Sequence, residues 1–290
     1  MDEEKDALSE APEYTHLFQI VLLFPEEGDR PTAQALQEAV RPALGDTDIV
    51  ADMDGQLTTL AVRKHLVEYK DGQKAPAQVL MADFAPFEPD KLTDLQRSQL
   101  WDCPESQMLL PRCRYQLMLS DFMAAGLPYR ERCSLLTGWL ESLLPLFPDC
   151  IAVWIPSAWK LMTPQRLMED PYEGPARFLH YGVNARFFRI EGTEDMVIDT
   201  LGMYAVGLPD VQYHFHGLDP NDMVNHAYNV ARYVFDNDAP IESGETIDGL
   251  KDGRIDQGVQ WECRYEMALI EPRRGLMDVC PGEWSAGQRN

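Results

Sequence analysis

The sequence is short of positive charge. Lys and Arg together number 25 against 48 Asp and Glu residues, which gives a formal net charge of -23. A field of this sign repels nucleic-acid phosphates and anionic membrane surfaces. We therefore expect no nucleic acid and no membrane among the partners. What such a surface attracts is a cation or a basic protein.

Cysteine motifs and long apolar runs are also missing. The six cysteines include no C-x-x-C pair, which excludes a zinc ribbon and a thioredoxin-type centre. The longest apolar runs, "IVLLF" and "IAVWI", are much too short to span a membrane. The first residues, "MDEEKDALSEAPEYT", lack the basic and apolar regions of a signal peptide. We expect a cytoplasmic protein with reduced cysteines and an acidic flexible tail over residues 1–15.

Complete catalytic and nucleotide-binding motifs are lacking as well. The glycines in "DTLGMYAVGLPD" match neither G-x-G-x-x-G nor a P-loop with its lysine. The stretch "SAWK" matches S-x-x-K, but no companion motif follows it. We therefore assign no catalytic residue and no cofactor-binding residue. Whether the protein is an enzyme stays open, but the lack of a complete catalytic motif favours a non-enzymatic protein.

What the sequence does contain is apolar strands and amphipathic helices. Hydrophobic residues make up 45% of the chain, which is enough for a substantial core. An N-terminal half, residues 16–165, is expected to open with a strand at "HLFQIVLLF", a helix over 31–44 and a hairpin turned at Asp71-Gly72. A second helix, over 129–147, is expected between two further strands of this half.

The C-terminal half is expected over residues 178–290. The segment before it, about 162–180, carries three prolines and no sustained hydrophobic period, so it is the expected connection. A strand at 211–216 precedes a helix over 220–236, and a final strand pair turns at Glu271-Pro272. The predicted fold class is α+β, with two related halves of mixed or antiparallel sheet faced by amphipathic helices. Whether the halves pack as one domain stays open.

Two histidines stand one residue apart in the predicted strand "VQYHFHG". Side chains of a strand alternate between its two faces. Alternation therefore predicts that Tyr213 and Phe215 are mostly buried, while His214 and His216 on the other face are more exposed. The simplest interpretation of the histidine face is a polar strand face in contact with solvent.

A metal site is the alternative interpretation of this strand. Asp210 is expected on the face that carries the two histidines, and His226 follows in the next helix, off its expected apolar stripe. Imidazole nitrogens and carboxylate oxygens are common ligands of zinc. The candidate ligands for a Zn or Mn ion are Asp210, His214, His216 and His226.

Several stretches of the C-terminal half carry a family resemblance. They are "NARFFRIEG", "DMVIDTLGMYAVGLPDVQYHFHGLDPNDMVNHAYNVARYVFDN", "ESGETIDG" and "CPGEWSAGQRN". Through them, roughly residues 180–290 resemble an uncharacterised bacterial family, domain of unknown function 4261. The N-terminal half resembles it more loosely, through "DCIAVWIPS". The resemblance implies a bacterial, cytoplasmic protein, and it carries over no catalytic residue.

Two functions of different classes remain. The first is a non-enzymatic acidic module that binds a basic protein, as an immunity or antitoxin-like protein masks a cationic effector. The second is a metal-assisted hydrolase that uses the Asp210, His214 and His216 face. The global excess of acid favours the first, because the histidine cluster lacks a full set of ligands at a recognisable spacing.

Overall fold

The chain folds into two compact units, which are described one at a time. The computed structural model describes residues 17–53, 56–169 and 171–287, so the expected acidic tail over residues 1–15 lies outside the described residues. The units divide between Gly182 and Val183. Both contain a β-sheet with helices against it, which confirms the α+β fold class.

The N-terminal unit is built on a seven-stranded antiparallel sheet of order β2-β3-β4-β5-β1-β6-β7. Strand β1 is an interior strand of this sheet, and its continuous apolar run "IVLLF" is buried along its whole length. This burial explains why the run does not alternate with polar residues. The strands are β1 (Gln19–Phe24), β2 (Thr47–Met53), β3 (Leu57–Glu68), β4 (Lys74–Pro86), β5 (Tyr115–Phe122), β6 (Ala152–Ile155) and β7 (Lys160–Met162).

Two long helices cover this sheet. Helix α1 (Ala33–Leu44) begins after Thr32, whose hydroxyl accepts the N–H of Ala35, and it ends at Gly45, which has a φ of 73°. Helix α2 (Tyr129–Leu143) passes into a tight turn, because Pro145 has no N–H to continue the helix. Both predicted helices are confirmed; α1 begins two residues later than predicted and α2 ends four residues earlier. The short helices are Asp94–Ser98, Ser106–Leu109, Pro164–Met168 and Arg177–Gly182.

The C-terminal unit is built on a six-stranded mixed sheet of order β11-β12-β13-β10-β9-β8. Its only parallel pair among the described strands is β10 with β13. The final strand pair turns over residues 268–274, as predicted. The strands are β8 (Asn184–Arg189), β9 (Met196–Leu201), β10 (Asp210–Phe215), β11 (Thr246–Lys251), β12 (Arg254–Met267) and β13 (Gly275–Cys280).

One long helix, α3 (Pro220–Asp236), faces the C-terminal sheet and confirms the predicted helix over 220–236. Asp219 caps it by accepting the N–H of Asn221 at 2.8 Å, and Pro220 follows at the first helical position. Its main contacts are with strands β8, β9 and β10. Among the described helices of the chain, none is long and apolar enough to cross a membrane.

Candidate functional site

Strand β10 shows the predicted burial difference only at its C-terminal end, because Asp210 and Gln212 on the histidine face are 0% and 1% exposed; the expectation of a polar face in contact with solvent is wrong for them. Tyr213 and Phe215 are 0% exposed, whereas the side chains of His214 and His216 are 16% and 42% exposed. The apolar pair faces the helix α3 side of the sheet, since the Tyr213 ring contacts His226 of that helix. The histidines therefore lie on the opposite face, and the predicted burial difference is confirmed.

The two histidines converge on Asp195, which the predicted ligand set does not include. His214 Nε2 lies 3.8 Å from Asp195 Oδ2, and His216 Nδ1 lies 3.9 Å from Asp195 Oδ1. The C-terminal segment runs beside them, with the His216 N–H donating to the Trp284 carbonyl at 2.9 Å. The Trp284 ring centre is 6.5 Å from that of His216. Asp195 directly precedes Met196, which pairs with Phe215 of β10, so the register of β9 places Asp195 beside the two histidines.

Asp210 shares the histidine face but is committed to a different partner. Its Oδ2 atom lies 2.9 Å from Arg274 Nε, and its Oδ1 atom accepts the Met203 N–H at 3.0 Å and the Thr200 hydroxyl at 3.1 Å. Burial raises the pKa of Asp210, and the neighbouring Arg274 guanidinium opposes that increase. A carboxylate held by a buried arginine does not join the histidines.

His226 lies on the opposite side of the sheet, within the buried face of α3 and not off it. It is 2% exposed, with Nδ1 2.8 Å from the Tyr213 hydroxyl and Nε2 2.8 Å from the Asp248 carbonyl. Because a carbonyl only accepts, Nε2 carries the proton and Nδ1 accepts the tyrosine hydroxyl. Burial lowers the pKa of His226, which keeps the ring neutral.

The four predicted ligands are therefore not brought together. His214 and His216 are neighbours, Asp210 is bound to Arg274, and His226 is behind the sheet. In the parts of the chain that the structure describes, no three His, Cys, Asp or Glu side chains are arranged to hold a metal ion. The structure thus provides no assembled Zn or Mn site from this set.

A row of polar side chains crosses the histidine face of the C-terminal sheet. Register aligns one residue from each of five adjacent strands, β8, β9, β10, β13 and β12, in the order Arg186, Asp199, Gln212, Asp278 and Arg264. The first four are buried, and Gln212 Nε2 donates to Asp278 Oδ1 at 3.1 Å. Buried charges of this kind are paired. Sequence reasoning missed the row, although single charges inside apolar strands such as "MVIDTL" are its signal.

A groove of about 830 Å³ opens between α3 and strand β11. One helix face contributes residues at positions 226, 229, 230 and 233. The loop after the helix and the start of β11 supply the facing wall, and Ile255 of β12 closes one side. Because β11 is an edge strand, the groove lies at the border of the sheet. The lining residues are His226, Asn229, Val230, Tyr233, Pro240, Ile241, Gly244, Glu245, Thr246, Ile247, Asp248 and Ile255.

The shape of this wall depends on a glycine beneath a tryptophan. Trp261 of β12 is 2% exposed and packs against the His226 ring at a centroid distance of 4.9 Å. A Cβ atom on Gly249 of β11 would lie 2.5 Å from Trp261 Cε2. The pairing of β11 with β12 also shifts between Asp248 and Gly249. Gly249 is therefore required for Trp261 to lie across the edge strand, and Trp261 in turn supports His226.

The groove combines exposed apolar side chains with an acidic loop at one edge. Tyr233 and Ile255 are each 50% exposed, although both are large apolar side chains. Glu245 lines the groove and is exposed, whereas the Asp248 carboxylate lies on the other face of β11, where its Oδ1 atom accepts the Gln260 amide at 2.7 Å. The lining includes no Lys or Arg. The stretch "DNDAPIESGETID", residues 236–248, carries five acidic residues and no basic one. Exposed apolar side chains beside a loop of one charge suit a partner of the opposite charge.

Comparison with known proteins gives a single family. No curated protein and no solved structure matches the chain significantly. Residues 199–280, the matched region, contain strands β10 to β13, helix α3, the whole groove and every member of the polar row except Arg186. The resemblance found in the C-terminal sequence is confirmed, since residues 199–280 match the model of the family described as domain of unknown function (DUF4261).

Proposed function

We propose that the protein is a non-enzymatic acidic module that binds a basic protein through the groove beside helix α3. The observation that carries the proposal is the groove itself, whose edge holds the exposed residue Glu245 and whose lining has no Lys or Arg. Half-exposed Tyr233 and Ile255 supply the apolar surface that such an interface buries.

Charge outside the groove supports the same partner. The net charge of -23 attracts a basic surface over a longer distance than any single contact. The five acidic residues of the segment 236–248 concentrate that charge beside the groove. Long-range attraction of this kind raises the association rate and selects partners by the sign of their charge.

The setting we propose is the bacterial cytoplasm, where an immunity or antitoxin-like protein masks a cationic effector. Six free cysteines fit a reducing compartment. Their chemistry also fits a role in packing, because burial raises the pKa of Cys150 and of Cys263 to about 12. A thiol that stays protonated at neutral pH is a poor nucleophile.

A metal-assisted hydrolase on the Asp210, His214 and His216 face is the second candidate, with less support. His214 and His216 do converge on one carboxylate, that of Asp195. Asp210, however, holds Arg274, and moving it would leave a buried guanidinium without a carboxylate partner. A hydrolase would need Asp195 in that place and a further ligand.

The test of the binding function is affinity capture from cells of the source organism, with the captured proteins identified by mass spectrometry. Wild type is compared with Tyr233→Lys, which places a positive charge in the groove, and with Tyr69→Lys, the same change at an exposed tyrosine of the other unit. We expect a basic protein to be retained by wild type and Tyr69→Lys and lost by Tyr233→Lys. An acidic partner, or equal capture by both variants, would refute the proposal.

A further inference from the structure

The C-terminal sheet is too wide for its single long helix. Six strands about 4.8 Å apart span roughly 24 Å between the outer strand axes, whereas a helix is about 10 Å across. Helix α3 makes its main contacts with β8, β9 and β10. The part of this face formed by β11 and β12 is therefore left beside the helix, and this is where the groove lies.

The N-terminal unit shows what covers the comparable strands in its own sheet. There two long helices, α1 and α2, pack against each other. Helix α1 follows interior strand β1 and contacts β2 and β3, the edge pair of that sheet. In the C-terminal unit, helix α3 follows strand β10, and β11 and β12 are the edge pair. Helix α3, however, makes its main contacts with β8, β9 and β10, so the edge pair β11 and β12 lacks the long-helix contacts that β2 and β3 have, and the groove lies beside this pair.

The inside of the groove suits a helix better than an added strand. Its helical wall presents positions 226, 229, 230 and 233 of α3, the spacing with which one helix packs on another. On the opposite wall, the Asp248 carbonyl of β11 already accepts the His226 Nε2–H at 2.8 Å. This bond competes with the bond that an incoming strand would make to the same carbonyl, so it disfavours an added strand here.

Resting on the proposed function, we propose that the partner inserts one basic amphipathic helix into this groove, alongside α3. Its apolar stripe packs on Tyr233, Val230 and Ile255, and its Lys or Arg side chains meet Glu245 and the other acidic residues of the loop that follows α3. A second copy of this chain is a poor occupant, because two surfaces of charge -23 repel each other. The partner of stated chemistry is therefore a cationic helix.

The test uses two synthetic peptides of identical Lys and Leu composition, each about 16 residues long, with leucines spaced for a helix in one and alternating in the other. Binding to the full chain is followed by fluorescence anisotropy, and peptide helicity by circular dichroism. Wild type is compared with Tyr233→Lys and Ile255→Lys in the groove, and with Tyr69→Lys outside it. Thermal unfolding confirms that all variants fold.

We expect the helix-patterned peptide to bind wild type about tenfold or more tightly than the alternating peptide, and to become helical when bound. Its affinity should fall by a similar factor in Tyr233→Lys and Ile255→Lys and stay unchanged in Tyr69→Lys. Preference for the alternating peptide, lost in the groove variants, would overturn the helix but leave the basic partner standing. Equal binding by the groove variants and Tyr69→Lys would overturn both the inserted helix and the proposed binding function of the groove. A wild-type dimer that Tyr233→Lys dissociates would overturn the helix in favour of a second copy.

Discussion

Arg274 bridges two buried carboxylates, with Nη2 lying 2.9 Å from Asp199 Oδ2 and Nε lying 2.9 Å from Asp210 Oδ2. All three residues are at most 1% exposed. Arg186 completes the group by donating to Asp199 from the neighbouring strand. Arg274 lies in the turn between β12 and β13, so the bridge joins this turn to Asp199 of β9 and Asp210 of β10. It therefore holds these three parts together on the histidine face of the C-terminal sheet.

Replacing Arg274 should be costly. Arg274→Met leaves the Asp210 carboxylate without an arginine partner and leaves Asp199 with Arg186 as its remaining one. Breaking a buried ion pair in this way costs about 3–5 kcal/mol of unfolding free energy. Urea denaturation measures that loss. Arg273→Met is the matched control, because Arg273 is the adjacent exposed arginine. Equal losses in the two variants would show that the bridge does not stabilise the fold.

The buried histidines should make stability fall with acid. Burial lowers the pKa of His226 and of His65 in the folded state, so their stabilising effect is complete above the unfolded value of about 6.5. Below that value His226 and His65 bind protons in the unfolded chain at a higher pH than they do in the folded chain. The unfolding free energy should therefore decline from pH 7.5 towards pH 5.5.

His226→Gln isolates one part of this effect. Glutamine can donate to the Asp248 carbonyl but does not titrate. We expect its unfolding free energy to depend less steeply on pH than that of the wild type over the same range. An unchanged slope would mean that His226 does not titrate differently in the folded and unfolded chains.

The glycine under Trp261 should not accept a side chain. Gly249→Ala places a Cβ about 2.5 Å from Trp261 Cε2, so the indole must shift. Overpacking of this kind costs about 1–3 kcal/mol. Gly258→Ala on the partner strand is the control, because its Cβ meets only the flexible Asp256 side chain, at 3.0 Å. Tryptophan fluorescence and thermal unfolding should change in Gly249→Ala and little in the control.

Local patterns predicted the elements that bury apolar residues. The strand at 211–216 and the helices over 31–44 and 220–236 carry strong hydrophobic periods, which act over a few residues. Two edge strands were missed: β2, the first strand after α1, and β11, the first strand after α3. Residues of β2 are largely exposed, so no burial pattern marks them.

The site was less predictable than the fold, because it depends on distant contacts. Asp210 was identified as a candidate ligand, but its partner Arg274 is 64 residues away and no local spacing links them. His226 was placed off the apolar stripe of its helix, since histidine counts as polar. Its burial requires Tyr213 and the Asp248 carbonyl as hydrogen-bond partners. The groove was missed because it needs the unpredicted strand β11.

Metal content separates the two candidate functions. Because Asp210 is held by Arg274, we expect purified protein to contain far less than one Zn or Mn ion per chain by elemental analysis. The double variant His214→Ala and His216→Ala should not change that content. About one ion per chain, lost in the double variant while the fold is kept, would place the hydrolase first.

Binding of the cationic helix should depend strongly on salt. The Debye length falls from about 30 Å at 0.01 M to about 3 Å at 1 M ionic strength, so high salt removes long-range attraction. We expect the association rate of the helix-patterned peptide, measured by stopped-flow fluorescence, to fall by about tenfold or more across this range.

Charge reversal separates attraction by the whole surface from attraction by the groove. Glu245→Lys changes the rim of the groove, and Glu38→Lys makes the same change at an exposed position of α1. Both variants lower the net negative charge equally, so both should slow association slightly. Only Glu245→Lys should also speed dissociation, because only this residue meets the bound helix. Equal dissociation rates in the two variants would place the contact elsewhere on the acidic surface.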